Sequence, residues 1–186
     1  NIDGVIGEGV AATYNSTLGW VGSLSSLEGG KGYWFKVNQA IDFTYIPPSE
    51  LSRVSGLDNV AHQLPEYEYT QSTRQAFYFI EGIEGIENGD WILSYNGNVL
   101  VGAREWNGSY IDIPAMGYDE DLNTAGYCET GDRVDFKLFR PSTGDIYNLV
   151  SDNMLAWEDN LIQVATSMSI SYGDFVSGYK LDDVYP

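Results

Sequence analysis

The chain has 186 residues, with 27 Asp and Glu against 9 Lys and Arg, which gives a formal net charge of −18 at pH 7. A surface this acidic repels polyanions, so we exclude nucleic-acid binding and attraction to an anionic bilayer. The one cysteine, Cys128, excludes an intrachain disulfide and a cysteine-based zinc cage. No apolar run approaches the ~18 residues of a membrane span, which predicts no membrane insertion.

Turn signals and short apolar or alternating segments indicate β-strands along most of the chain. Asn96-Gly97 predicts a two-residue hairpin turn, because this pair tolerates the positive φ angles that such a turn needs. Pro141-Ser142-Thr143-Gly144 predicts a second hairpin between an alternating strand and its successor. In chain order the predicted strands cover residues 33–37, 41–45, 75–80, 91–95, 98–101, 133–139, 145–150, 161–166 and 168–172.

Residues 47–70 are expected to connect two β units. Ser49 and Gly56 are suited to begin and end one short helical turn. Apolar residues from Leu51 to Leu64 are too frequent for a free linker, so we expect this connector to pack over both units. We therefore predict an all-β, β-sandwich-like fold with two small β units, residues 1–46 and 71–186, joined by a short helical or irregular connector. The second unit is expected to end in an extended C-terminal segment.

That segment reads Tyr179-Lys180-Leu181-Asp182-Asp183-Val184-Tyr185-Pro186. It resembles the boundary before the C-terminal sorting tail of bacterial proteins exported by the type IX secretion route. In those proteins a Leu-Asp-x-x-Tyr-Pro stretch commonly runs into Asn-Pro-Phe-Asn-Pro. The resemblance implies a secreted or cell-surface protein from which the sorting tail has been removed.

Internal segments extend this resemblance over nearly the whole chain. Gly4-Val5-Ile6-Gly7-Glu8-Gly9-Val10-Ala11, with residues 19–24 and 32–37, is similar to a small β module found upstream of such tails. Residues 71–79, 89–92, 96–106, 114–117 and 126–132 are similar to the β-sandwich module that follows it. Such proteins differ in activity, so the resemblance implies location and fold rather than function. Similar modules usually begin with a further strand and helix, so we expect the first module to expose an open sheet edge.

Signatures of catalysis are weak. Gly4-Val5-Ile6-Gly7-Glu8-Gly9 lacks the βαβ context of a dinucleotide site and is better explained by turn chemistry. His62 is the single histidine, which excludes a histidine-based metal triad, and Cys128 is expected to be a buried small side chain. Carboxylate pairs for polysaccharide hydrolysis are weak evidence when the chain has 27 acids. The candidates for such a pair are Glu84, Glu87, Asp90, Glu105 and Asp112.

Asp119-Glu120-Asp121-Leu122-Asn123-Thr124 gives the best local case for a metal site. The alternate side chains Asp119, Asp121 and Asn123 would offer oxygen ligands to one Ca²⁺. The match to an EF-hand then fails, because Thr124 replaces the turn glycine and Thr130 replaces the closing glutamate. A solvated acidic loop is the alternative, so the sequence predicts at most a weak calcium site and no required cofactor.

Aromatic residues make up 14% of the chain, which suits a carbohydrate-binding module if Trp and Tyr rings are exposed. Trp34 and Trp91 lie in strand-like segments and are expected to fill the space between sheets. Trp106 stands before a polar turn that leads to Tyr110, so these two residues are the best candidates to stack on a sugar.

Three classes of function remain. We favour a non-catalytic extracellular structural or adhesive subunit that self-associates into a filament or surface layer. An open sheet edge would then be completed by strand addition from a neighbouring chain. The alternatives are a carbohydrate-binding module of a secreted enzyme, with glycans as partners, and a carboxylate-dependent polysaccharide hydrolase. The donor segment for self-association is predicted in residues 176–186, whose apolar side chains are Val176, Tyr179, Leu181, Val184 and Tyr185.

Overall fold

The protein is all-β, as the sequence predicts. A computed structural model describes residues 1–44, 64, 66–165 and 167–171. Within this part, the helical structure consists of one 3₁₀ turn, Leu122–Thr124. The strands are β1 Ile2–Ile6, β2 Ala11–Asn15, β3 Gly19–Gly22, β4 Trp34–Val37, β5 Gln75–Ile80, β6 Trp91–Asn96, β7 Val99–Glu105, β8 Ile111–Met116, β9 Asp135–Arg140, β10 Asp145–Val150, β11 Ile162–Ala165 and β12 Ser169–Ser171.

Three sheets form three layers. The N-terminal sheet has the order β3-β2-β1-β4, a five-stranded sheet has the order β12-β10-β9-β6-β7, and a central sheet has the order β11-β5-β8. All pairings are antiparallel except that of β11 with β5, which is parallel. β1 to β4 belong to the first predicted unit, and β5 to β12 belong to the second.

The central sheet is buried on both faces, and this explains why every residue of β5 and β8 is buried. On one face, Tyr78 and Ile113 join the main core with Ile92 and Leu138 of the five-stranded sheet. On the other face, residues Phe77 and Phe79 pack against Ile6 and Ala11 of the N-terminal sheet. Burial of the N-terminal sheet therefore depends on alternate residues of the same strand, β5.

Both predicted hairpins form. Asn96 still pairs with Val99, so the two loop residues of the first hairpin are Gly97 and Asn98 rather than Asn96 and Gly97. Gly97 adopts a φ of 58°, which is the left-handed conformation that glycine accepts without strain. The second hairpin pairs β9 with β10 and places Gly144 at a φ of 78°.

Two expectations about the first unit are wrong. Residues 41–44 form no strand, because the chain leaves the sheet after Asn38, and Tyr45 lies outside the described residues. Trp34 is 45% exposed rather than buried between sheets, because β4 is the last strand of its sheet. Trp91 is buried as expected, but its cluster lies on the outer face of the five-stranded sheet and includes Leu64 and Tyr67.

The predicted connector can be followed only in part. Leu64 and residues 66–70 are described, and Leu64 packs against the cluster of Trp91 and Leu93. The short helical turn predicted from Ser49 to Gly56, and His62, lie outside the described residues.

Candidate functional site

Among the described residues, the most exposed aromatic surface lies on the N-terminal sheet, on the side that faces away from the central sheet. An open depression of about 710 Å³ there has apolar and polar lining residues. Tyr14, Trp20 and Phe43 contribute its rings and are 56%, 50% and 55% exposed. We name this surface the aromatic depression, and its lining residues are Asn1, Ile2, Tyr14, Trp20, Ala40, Ile41, Asp42 and Phe43.

The hairpin of β2 and β3 positions two of the rings. Tyr14 and Trp20 are paired across the two strands, so both side chains point to the same face of the sheet. Their ring centroids are 5.9 Å apart and the rings are nearly perpendicular, at 71°. The turn between them is held by Asn15 Oδ1, which accepts hydrogen bonds from the backbone N–H groups of Thr17 and Leu18. The Trp20 ring is therefore held against the Tyr14 ring, although Trp20 is half exposed.

Residues 40–43 form the other wall of the aromatic depression. Asn38 lies just before this wall, and it donates from its backbone N–H to the carbonyl of Asn1 and from Nδ2 to the Asp3 carboxylate. Phe43 rests on Phe35 of β4, with ring centroids 5.1 Å apart. An irregular segment thus borders the rings, which is why strand patterns alone did not indicate this wall.

A buried ion pair fixes the N-terminal sheet on the rest of the molecule. Asp112 of β8 is fully buried and accepts hydrogen bonds from Arg104 Nη2 at 3.2 Å and from the backbone N–H of Ala11 at 3.0 Å. The backbone N–H and the hydroxyl of Ser23 each donate to it at 2.7 Å. Arg104 also donates to the carbonyl of Gly9 at 2.7 Å. Burial raises the pKa of Asp112, and Arg104 and Ser23 act against that rise.

A second polar contact joins the same two sheets. Gln75 of β5 donates from Nε2 to the carbonyl of Gly7 at 2.8 Å and accepts at Oε1 from the backbone N–H of Gly9. Because a buried polar group without a partner is costly, these contacts specify one position for the 7–11 loop. The aromatic depression is therefore built on a sheet that is anchored to the core.

The expectation that Trp106 is exposed and can stack on a sugar is wrong. Trp106 is 6% exposed and belongs to the main core, so its ring cannot stack on an external ligand. Its backbone N–H donates to the carbonyl of Asp90 and its own carbonyl accepts from Gly89, which continues the pairing beyond β7 and turns the ring inward. Tyr110 is partly exposed, with a φ of 62°, and does not line the aromatic depression.

The predicted calcium ligands take part in internal hydrogen bonds. Asp121 caps the 3₁₀ turn, because its Oδ1 accepts from the backbone N–H and the side chain of Asn123. Asp119 accepts from the Thr124 hydroxyl at 2.7 Å and from the backbone N–H of Thr73 at 3.1 Å. The Thr124 hydroxyl is the main reason that the pKa of Asp119 falls to about 2. These hydrogen bonds account for the conformation of the loop without a bound cation, and calcium binding remains a prediction.

Three of the five candidate hydrolytic carboxylates are partners of arginine: the exposed Glu87, which pairs with Arg140 at 3.5 Å, and two buried aspartates. Asp112 pairs with Arg104, and Asp90, which is 2% exposed, pairs with Arg140 at 2.9 Å. Arg140 further donates to the carbonyl of Gly85 at 2.7 Å. Asp90 and Asp112 are thus used inside the fold.

Cys128 is fully buried, and burial raises the pKa of its thiol to about 12. The thiolate is the nucleophilic form of cysteine, so this side chain is inert near neutral pH.

The described residues do not include the predicted self-association segment, whose apolar residues are Val176, Tyr179, Leu181, Val184 and Tyr185. Within the described ranges, no group of three or more His, Cys, Asp or Glu side chains could hold a metal ion. The same ranges hold no helix that is long and apolar enough to cross a membrane.

Comparisons with known proteins identify no family for this chain, so a functional assignment depends on its own residues. Neither a scan against protein-family models nor searches of curated proteins and of solved structures found a match.

The residues of the aromatic depression are not among the site residues predicted from the sequence. A signal for two of them was present, since Tyr14 and Trp20 flank a turn that contains Asn15 and Gly19, and paired hairpin residues share a face. Phe43 had no such signal, because its position depends on where the chain leaves the sheet.

Proposed function

We propose that this chain is a non-catalytic extracellular structural or adhesive subunit that makes its contacts through the N-terminal sheet. The observation that carries the proposal is the distribution of exposed apolar side chains. Of the twelve large apolar side chains that are exposed in the described residues, seven lie in residues 1–44, which are less than a third of that part. A concentration of this kind is typical of an interaction surface.

Self-association is the contact that we propose for the sheet edge. β4 ends the N-terminal sheet and β11 ends the central sheet, and the two adjoin where Lys36 Nζ donates to the carbonyl of Ile162 at 3.5 Å. This double edge carries exposed apolar side chains at Trp34, Val37 and Val164. A strand from a second copy could pair with the open backbone of such an edge.

Charge gives this edge a preference for an acidic partner. Lys36 is one of nine basic residues in a chain with a net charge of −18, and it is exposed on β4. A second copy is acidic and would meet this cation at close range. Repulsion between whole subunits opposes assembly, and salt screens that long-range repulsion beyond about 10 Å at 0.1 M ionic strength. Association should therefore strengthen with salt.

Light scattering on the 186-residue chain at low and high salt tests the proposal. We expect a mass above that of the monomer, which increases with salt and is lost in Trp34→Glu, because a carboxylate at the edge faces an acidic neighbour. Trp20→Ala is the matched control, since Trp20 is another half-exposed tryptophan of the same sheet and lies on its outer face. A monomer at every salt concentration would contradict the proposal.

Location outside the cell is part of the same proposal and is supported by the resemblance to proteins of the type IX secretion route. Weak calcium binding at Asp119, Asp121 and Asn123 is a separate proposal that rests on residue type. The hydrolase alternative has no comparable support, because Asp90 and Asp112 are held by arginine inside the fold.

A further inference from the structure

The aromatic depression has the composition of a ligand site rather than of a plain apolar patch. Three aromatic rings stand beside the polar side chains of Asn1 and Asp42. Binding sites typically combine apolar and aromatic walls with a few polar groups that fix the orientation of the ligand. Each of the three aromatic residues is about half exposed, so a ligand could cover apolar surface that water now contacts.

The charges around the aromatic depression restrict the class of ligand. None of its eight lining residues is basic, and Asp42 is acidic. Asp3 lies next to this wall through its hydrogen bond with Asn38. With a net charge of −18 on the chain, phosphate, sulfate or uronate groups would be repelled.

We propose that the aromatic depression binds a neutral glycan chain. A pyranose ring has apolar C–H faces and a rim of hydroxyl groups, so one face can stack on Trp20, Tyr14 or Phe43. The Asp42 carboxylate can accept from hydroxyl groups, and the Asn1 side-chain amide can both donate and accept. The depression is open along the surface, so it can take an internal segment of a long chain rather than only an end.

The Trp20 and Tyr14 side of this site lies apart from the edge that we propose for self-association, because β3 and β4 are at opposite sides of the N-terminal sheet. Trp20 and Tyr14 lie on the outer face of β2 and β3, whereas the double edge is formed by β4 and β11. Variants at Trp20 and Trp34 can therefore separate the two proposals, and each serves as the control for the other.

Native affinity electrophoresis is a suitable test, because the acidic chain migrates readily toward the anode. Gels would contain a neutral β-glucan, a neutral galactomannan or alginate as an anionic polysaccharide. We expect retardation by at least one neutral polysaccharide and none by alginate. Trp20→Ala should weaken this binding roughly tenfold or more, as is typical of a central aromatic contact, and Trp34→Ala should leave it unchanged.

Four outcomes would overturn the proposal. The first two are migration that neither neutral polysaccharide affects and equal retardation by alginate. The third is unchanged affinity in Trp20→Ala. The fourth is a Trp20→Ala variant in which only the oligomeric state changes, which would make this face an interface between copies. If near-ultraviolet circular dichroism shows that Trp20→Ala disturbs the sheet, Phe43→Ala takes its place. Phe43 lies outside every strand, so Phe43→Ala removes a ring that contacts Phe35 of β4 but changes no residue of a strand.

Discussion

At the scale of single residues, partners decide what a polar side chain does in this protein. Asp119 and Asp112 are both aspartates with several hydrogen-bond donors, but the pKa of Asp119 falls to about 2 and that of Asp112 rises. The difference follows from burial: Asp112 is fully buried, whereas Asp119 is partly exposed and gains from the Thr124 hydroxyl and the Thr73 N–H.

The low pKa of Asp119 predicts a pH dependence. Because folding lowers the pKa of Asp119 from 3.8 to about 2, its stabilising contribution is present above 3.8 and is lost as the pH falls through this interval. In urea titrations across this interval, the free energy of unfolding should decrease less steeply for Asp119→Asn than for the unchanged chain.

Glu120→Gln is the matched control for that experiment, since Glu120 is the exposed neighbour in the same loop. An identical acid dependence in Asp119→Asn and the unchanged chain would show that folding does not lower this pKa.

At the scale of elements, the molecule depends on close approach between sheets. Gly102 of β7 has no space for a side chain, because a Cβ atom there would collide with the carbonyl of Pro114 in β8. Ser94 of β6 donates its hydroxyl to the same carbonyl, at 2.5 Å. At this point β6 therefore contacts β8 by a direct hydrogen bond and β7 approaches it closely, next to the apolar core of the sandwich.

The Arg104 and Asp112 pair gives a prediction for the junction of β7, β8 and the N-terminal sheet. Arg104→Met should reduce the free energy of unfolding by about 3–5 kcal/mol, because it leaves a buried carboxylate without its cation. Urea unfolding measures this loss.

Arg133→Met is the matched control for Arg104→Met. Arg133 pairs with Asp135 at 3.5 Å, but both side chains are exposed, and exposed pairs contribute about 0–1 kcal/mol. Losses of equal size in the two variants would show that the buried pair has no special role in the junction.

At the scale of the whole molecule, the three layers share one strand. β5 supplies Tyr78 to the main core and Phe77 and Phe79 to the cluster under the N-terminal sheet. Gln75 at the start of β5 adds hydrogen bonds to the loop of residues 7–11. Loss of order in β5 would uncover apolar surface in both layers at once.

We therefore predict that the two β units unfold together. Scanning calorimetry should give one transition in which the calorimetric and van't Hoff enthalpies agree. The experiment should be done at low protein concentration, so that self-association does not alter the midpoint. Two separate transitions, with the N-terminal sheet melting first, would show that the shared contacts are too weak to couple the units.

Much of the fold could be predicted from the sequence, because strand and turn signals are local. The alternation of Val134, Phe136 and Leu138 with polar residues, and glycine at positions 97 and 144, identify the second-unit hairpins from neighbouring residues alone. The acidic composition likewise sets the net charge of the chain. These properties depend on residue order within a few positions and on overall content.

Only the tertiary structure decided which rings are exposed. Trp106 and Trp20 both stand at or near strand ends in the sequence, but Trp106 is covered by the core of the sandwich and Trp20 is not. The pairing of Arg104 with Asp112, and the parallel pairing of β11 with β5, likewise follow from how the three sheets stack. The exposure of these two rings depends on contacts between segments that are distant in the chain, and local patterns in the sequence do not encode such contacts.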